Sequence, residues 1–161
     1  MTTMALTPST LSSSLQRSWL PADSGPYPGS PAESGDAFAG AVSSWLAAAT
    51  AGPFPCSTAT ARRPQLASTA AGAFASGQPA AAGALLAGGL TGYLAGQVFG
   101  PGVASAPLGA AAAQAAFAAV FADLDAATRS RADRIAQASW ALVLTTIVIF
   151  PPVISPPVPV T

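Results

Sequence analysis

The side chains able to do chemistry are few: six carboxylates, six arginines, two tyrosines, one thiol at Cys56 and many hydroxyls. The 161 residues contain no histidine and no lysine. Those two types, with cysteine, supply most general bases, Schiff-base amines, soft metal ligands and activated nucleophiles. A serine here has no obvious base to take its proton. Asp123 and Asp125 form an Asp-x-Asp pair that could meet a hard cation. No third ligand is in view, and the plainer reading is a helix end at the surface near Arg129, Arg131 and Arg134. Cys56 stands between Pro55 and Ser57 without a basic helper, which reads as an inert thiol. Without lysine there is no phosphate-binding loop, and no nucleophile-elbow spacing occurs. The inventory points away from an enzyme and names no catalytic residue, cofactor or metal site.

Net charge is zero, so neutralising the phosphates of a nucleic acid is not this chain's expected work. One cysteine cannot close an internal disulfide and leaves the redox compartment unread. The first 25 residues are rich in Ser, Thr and Pro and lack a continuous apolar run, which predicts no cleaved signal peptide. Alanine contributes 40 residues, against 34 for Leu, Ile, Val and Phe together. Alanine buries little apolar area, so a partner surface would ease folding. That composition hints at obligate assembly.

The elements that must position these residues are mostly helices. Residues 1–30 read as an extended N-terminal arm, interrupted by Pro8, Pro21, Pro26 and Pro28. A short helix at 10–20 would put Leu11, Leu15 and Trp19 on one face. Residues 31–150 read as a helical body of about five helices. The first runs from Ser34 or Asp36 to Thr50 and stops at Gly52-Pro53, with Phe38, Ala41, Val42, Trp45 and Ala49 as its stripe. The second starts at Pro64 and ends before Gly77, the third covers 80–99, and Gly100-Pro101-Gly102 breaks the chain. The fourth opens near Pro107 and carries Phe117 and Phe121. The fifth opens near Thr128 and carries Ala132, Ala136, Trp140 and Leu144. Thr145 to Ile149 are all β-branched and favour a short strand. Residues 151–161 form an apolar proline-rich tail, extended and suited to a neighbour's groove. The class is mainly α.

A repeat links Ala37, Ala41, Ser44, Trp45 and Thr50 to Ala132, Ala136, Ser139, Trp140 and Thr145, and Ser18-Trp19 echoes its Ser-Trp pair. Trp19, Trp45 and Trp140 are read as packing anchors. Ala84, Gly88, Gly92, Gly96 and Gly100 fall at four-residue steps, a small-residue row that lets two helix backbones approach. Gly83, Gly88, Gly89, Gly92 and Gly96 each cost a helix about 1 kcal/mol relative to alanine, so a helical segment here predicts a packed glycine face. The alternative is a loop broken at Gly88-Gly89. No charge occurs between Pro64 and Ala122 or after Ile135, so 80–99, 103–122 and 135–154 are also long enough to be read as membrane spans. Arg62, Arg63, Arg129, Arg131 and Arg134 would then share one side.

In its Met4-Ala5-Leu6-Thr7-Pro8 opening, its Trp45 helix stopped by Gly52-Pro53-Phe54-Pro55, and its Leu144-Thr145-Thr146-Ile147-Val148 passage into a proline-rich tail, the chain resembles small alanine-rich structural proteins of tailed bacteriophages and related contractile particles. It differs from them in its glycine-rich middle. The resemblance implies a virion part without catalytic residues, whose partners are other structural proteins of the particle and copies of itself. The expectation is therefore a non-enzymatic structural subunit of a virion or tail-like assembly. The alternative is a small integral membrane protein with two or three transmembrane helices.

Overall fold

Proline and hydroxyl caps set where the helices begin. In the computed structural model, which describes residues 6–21, 25–152 and 156–161, Thr7 caps α1 (Pro8–Ser18). Ser30 caps α2 (Pro31–Leu46), while Glu33 reaches back to the amide of Gly29 at 2.7 Å. Four further helices follow: α3 (Arg63–Ala75), α4 (Pro79–Leu94), α5 (Ala110–Ala122) and α6 (Thr128–Leu144). Each even-numbered helix runs into a short strand pair: β1 (Thr50–Ala51) with β2 (Phe54–Pro55), β3 (Val98–Phe99) with β4 (Gly102–Ala104), and β5 (Ile147–Ile149) with β6 (Val158–Pro159). The chain is mainly helical, with a few short antiparallel strands.

Three helix–helix–hairpin units thus follow one another, and their burial coincides position by position. Phe38, Leu86 and Ile135 are buried equivalents, as are Ala39, Ala87 and Ala136, then Trp45, Tyr93 and Leu142, then Leu46, Leu94 and Val143. Along the even helices the step is 48 residues from the first unit to the second and 49 from the second to the third. Sequence identity accompanies it, since Pro31, Gly35, Ala39, Gly40, Leu46, Ala47, Gly52 and Pro53 recur as Pro79, Gly83, Ala87, Gly88, Leu94, Ala95, Gly100 and Pro101. The Ser-Trp repeat is therefore out of register. Trp45 is equivalent to Tyr93 and Leu142, not to Trp140, because helical burial tracks position on the helix rather than a recurring side chain.

The units close into a ring. Even helices pack on odd helices in cyclic order, α2 on α3, α4 on α5 and α6 on α1. The backbone closes likewise: the amides of Ser57, Ser105 and Thr161 donate to the carbonyls of Val98, Ile147 and Thr50 at 2.9, 2.8 and 2.9 Å. Cys56 bridges Phe99 and Val103 pairs with Ile149, so six short strands circle one end of the helices with both edges joined. Inside lie Ala51, Cys56, Phe99, Ala104, Val148 and Val160, all buried. At the other end Trp19, just past α1, meets Phe74 near the end of α3, and Phe74 meets Phe121 near the end of α5, with ring centroids 4.7 and 6.1 Å apart.

Three expectations need correction. The short helix expected at 10–20 is α1, at 8–18, so this part of the arm is not extended: Leu11 and Leu15 are fully buried, and their apolar face makes α1 the sixth helix and the partner of α6. Gly52-Pro53 and Gly100-Pro101 are hairpin tips rather than bare helix stops, each with a positive-φ glycine first, as a tight two-residue turn requires. Of the segments read as spans, 103–122 and 135–154 combine a helix with strand and loop. Among the described residues no helix is long and apolar enough to cross a membrane. Uncharged α4 has 16 residues, roughly 24 Å of helix against a hydrocarbon core of about 30 Å. The short strand near 144–150 is β5. Residues 1–5 and 22–24 of the expected arm and 153–155 of the tail lie outside the described residues.

Candidate functional site

The densest polar cluster lies where α4 enters β3. Gln97 takes the buried position held by Ala49 and Thr146 in the other units. Its Oε1 accepts from Thr58 Oγ1 at 2.6 Å and from Cys56 Sγ at 3.5 Å, and its Nε2 donates to the Tyr93 carbonyl at 2.8 Å. Tyr93 Oη donates to the Ala59 carbonyl at 2.7 Å. The Arg62 guanidinium caps the end of α4, donating to the carbonyls of Tyr93, Ala95 and Gly92 at 3.0, 2.6 and 2.9 Å. Burial pushes the Cys56 thiol up, outweighing opposing hydrogen bonds from Thr58 and Ala59 and the charge of Arg62. Burial likewise drives the Tyr93 phenol well above its ordinary range. A protonated thiol and a phenol committed to a carbonyl provide neither nucleophile nor base. The cluster fastens the 56–62 segment to α4.

Asp123 and Asp125 sit at the end of α5. Asp123 pairs with Arg134 at 3.0 Å, and Arg131 donates to the carbonyls of Asp123 and Leu124 at 2.8 Å each. This binds the α5–α6 corner and satisfies orphan carbonyls at the helix end. Among the described residues no three His, Cys, Asp or Glu side chains gather as a metal site.

The residues singled out for packing divide. Trp19 is buried, stacked on Phe74 and edge-on to Phe38 at 5.5 Å. Trp45 is buried, donates Nε1 to the Thr7 carbonyl at 3.1 Å and meets the partly buried Trp140 at 6.0 Å. Trp45 and Trp140 thus come together, and Trp19 joins the aromatic cluster at the far end. The row Ala84, Gly88, Gly92 and Gly96 is not the close helix contact inside the chain. A Cβ on Gly88 would meet nothing within 4 Å, and one on Gly92 only Gln65 at 3.9 Å. Gly96 lies past the end of α4, with φ of +80°. The close backbone approach belongs to Gly83, where a Cβ would stand 2.7 Å from backbone atoms of Gln114 and Ala118, and to its equivalent Gly35 against Ala67 and Ala71, while a Cβ on Gly89 would press on the Thr69 side chain of α3.

Sequence reasoning missed an exposed apolar face on the strand ring. Val103 and Ile149 are cross-strand partners and both point outward, 48% and 55% exposed. Ile147 lies on the same face of β5, and half-buried Val98 extends the row onto β3. Leu108 and Leu144 flank it, 86% and 55% exposed, at a corner tied by the Gly109 amide to Thr145 Oγ1. The alternation Thr146-in, Ile147-out, Val148-in, Ile149-out was the available signal. A run of five β-branched residues concealed it by showing no polar face. The remaining exterior is also plain: the exposed positions of α5 are alanines and Gln114, and Leu85 stands out on α4.

Comparison with protein-family models, curated proteins and solved structures finds no match. The functional reading rests on the chain itself.

Proposed function

We propose that this chain is a non-enzymatic structural subunit of a virion or tail-like assembly, working by packing against neighbouring chains. The observation that carries the reading is its exterior. From Pro64 to Ala122 no residue is charged, yet that stretch supplies much of the outer surface of α3, α4 and α5 and the exposed Leu85, Val103 and Leu108. Soluble monomers spread charge over such faces, and contiguous exposed apolar area marks contact sites. The Gly88 and Gly92 surface of α4, open within the chain, adds a place where another backbone can come close. The partners in this reading are other structural proteins of the particle and copies of this chain. No nucleic acid, cofactor or metal enters it, and the residues offered for contact are Ala84, Gly88 and Gly92 with the exposed apolar side chains around them. The resemblance to alanine-rich tail proteins supports the same place of work.

Fractionation tests this. The chain is expected to co-sediment with particles that survive detergent. Recovery only from detergent-solubilised membranes would sink the proposal.

A further inference from the structure

We infer that the outer face of β3, β4 and β5 is a homotypic contact that seats a second copy of this chain. This rests on the reading that the exterior meets protein. The three units supply an internal control. The positions equivalent to Val103 are Pro55 and Pro159, those equivalent to Ile149 are Gly52 and Gly100, and those equivalent to Ile147 are Thr50 and Val98. The glycines are set by their tight turns, but the fold accepts proline at the Val103 position and threonine at the Ile147 position, so ring packing does not require large apolar side chains at those two places. With Leu108 and Leu144 it exposes five large hydrophobic side chains, from 42% to 86%.

Charge decides the occupant. The face is built from 98–108 and 144–149, segments that carry no charged residue. A partner bringing charged side chains would bury them unpaired against it. A copy of the same face brings none, and a two-fold contact sets identical residues opposite one another without like-charge repulsion. Strand addition is closed off, because the strands here are paired on both sides within the ring. The contact is face to face.

Sedimentation equilibrium of the purified full chain over a wide dilution series tests the inference. The expected result is a reversible species of twice 15.7 kDa. Ile149→Glu and Val103→Glu should each weaken association at least ~100-fold, while Leu124→Glu, at the α5–α6 corner, leaves it unchanged. Ile147→Thr, which installs the residue found at Thr50, should fold as wild type and weaken association about tenfold. A monomer at every concentration overturns the inference, and so does a dimer indifferent to all three face substitutions. Binding of a monomer to neutral phosphatidylcholine vesicles overturns it too, with lipid as the occupant. A monomeric chain that still co-sediments with particles removes this inference alone; a dimer that never does so removes the particle reading alone.

Discussion

Two alanine substitutions five residues apart on α4 should act with opposite sign. At Gly83 an added Cβ would lie 2.7 Å from the Ala118 amide nitrogen, 2.7 Å from the Gln114 carbonyl oxygen and 2.9 Å from the Ala118 Cβ. Two of these atoms are backbone, so no rotamer change relieves them and α4 and α5 must separate. Overpacking costs about 1–3 kcal/mol, and three such contacts place this site near 3. Replacing a helical glycine returns about 1 kcal/mol, leaving a net loss of about 2. At Gly88 nothing lies within 4 Å, so only the gain of up to about 1 kcal/mol remains. For a chain of this length 1 kcal/mol moves Tm by about 2–4 °C. Gly83→Ala should therefore melt about 4–8 °C below wild type and Gly88→Ala up to about 4 °C above it. Urea unfolding at an unchanged m-value is the companion assay. Gly35→Ala, at the equivalent contact on α3, should follow Gly83→Ala. A Gly83→Ala protein as stable as wild type would refute the close α4–α5 approach and the repeat register that pairs it with Gly35.

Further outcomes follow from the cap, the thiol and the ring closure. Arg62→Ala removes guanidinium bonds to three carbonyls at the end of α4 and should cost about 1.5–2 kcal/mol in urea unfolding. Lysine should restore only part of it, lacking the planar fork. Because burial raises the Cys56 pKa in the folded chain, the unfolded thiol loses its proton first. Stability should be flat below that range and fall as pH rises through about 9. Tyr93 adds a loss at still higher pH. Cys56→Ala, which installs the residue found at the equivalent Ala104, should flatten the first part of that decline in denaturant titrations across pH. Ending the chain after Pro157 removes buried Val160 and both backbone bonds between Thr50 and Thr161. It should cost about 2–4 kcal/mol and abolish hydrogen-exchange protection of the Thr50 amide; persistent protection would contradict a closed ring.

The helices were legible because proline and apolar spacing mark them locally: Pro64 lies in the first turn of α3, Pro79 opens α4, and Ile147 to Ile149 form the expected strand, whereas α2 opens at Pro31 behind the Ser30 cap, ahead of the expected Ser34 or Asp36, and ends at Leu46 rather than Thr50. The ring was not read. Its strands are two or three residues long, below the length at which alternation shows. The 48-residue step was visible in Pro31-to-Pro53 against Pro79-to-Pro101, but tryptophan drew the register to Trp140. Equivalent core positions carry Phe38, Leu86 and Ile135, alike in burial and unlike in shape. The glycine row on α4 does not mark the contact inside the chain. Its four-residue spacing is regular, yet the contact glycine, Gly83, lies one position before it, on the face toward α5. Of the candidate contact residues, the tryptophans were found by type, whereas Val103 and Ile149 come together only when β4 pairs with β5.

The central claim is that neighbouring protein covers this uncharged exterior. Hydroxyl-radical footprinting of the chain in detergent-washed particles, compared with the free chain, tests it most directly, since Leu85 and Leu108 are 45% and 86% exposed in the isolated fold. The account predicts strong protection of both in the particle. Equal labelling in the two states would contradict it.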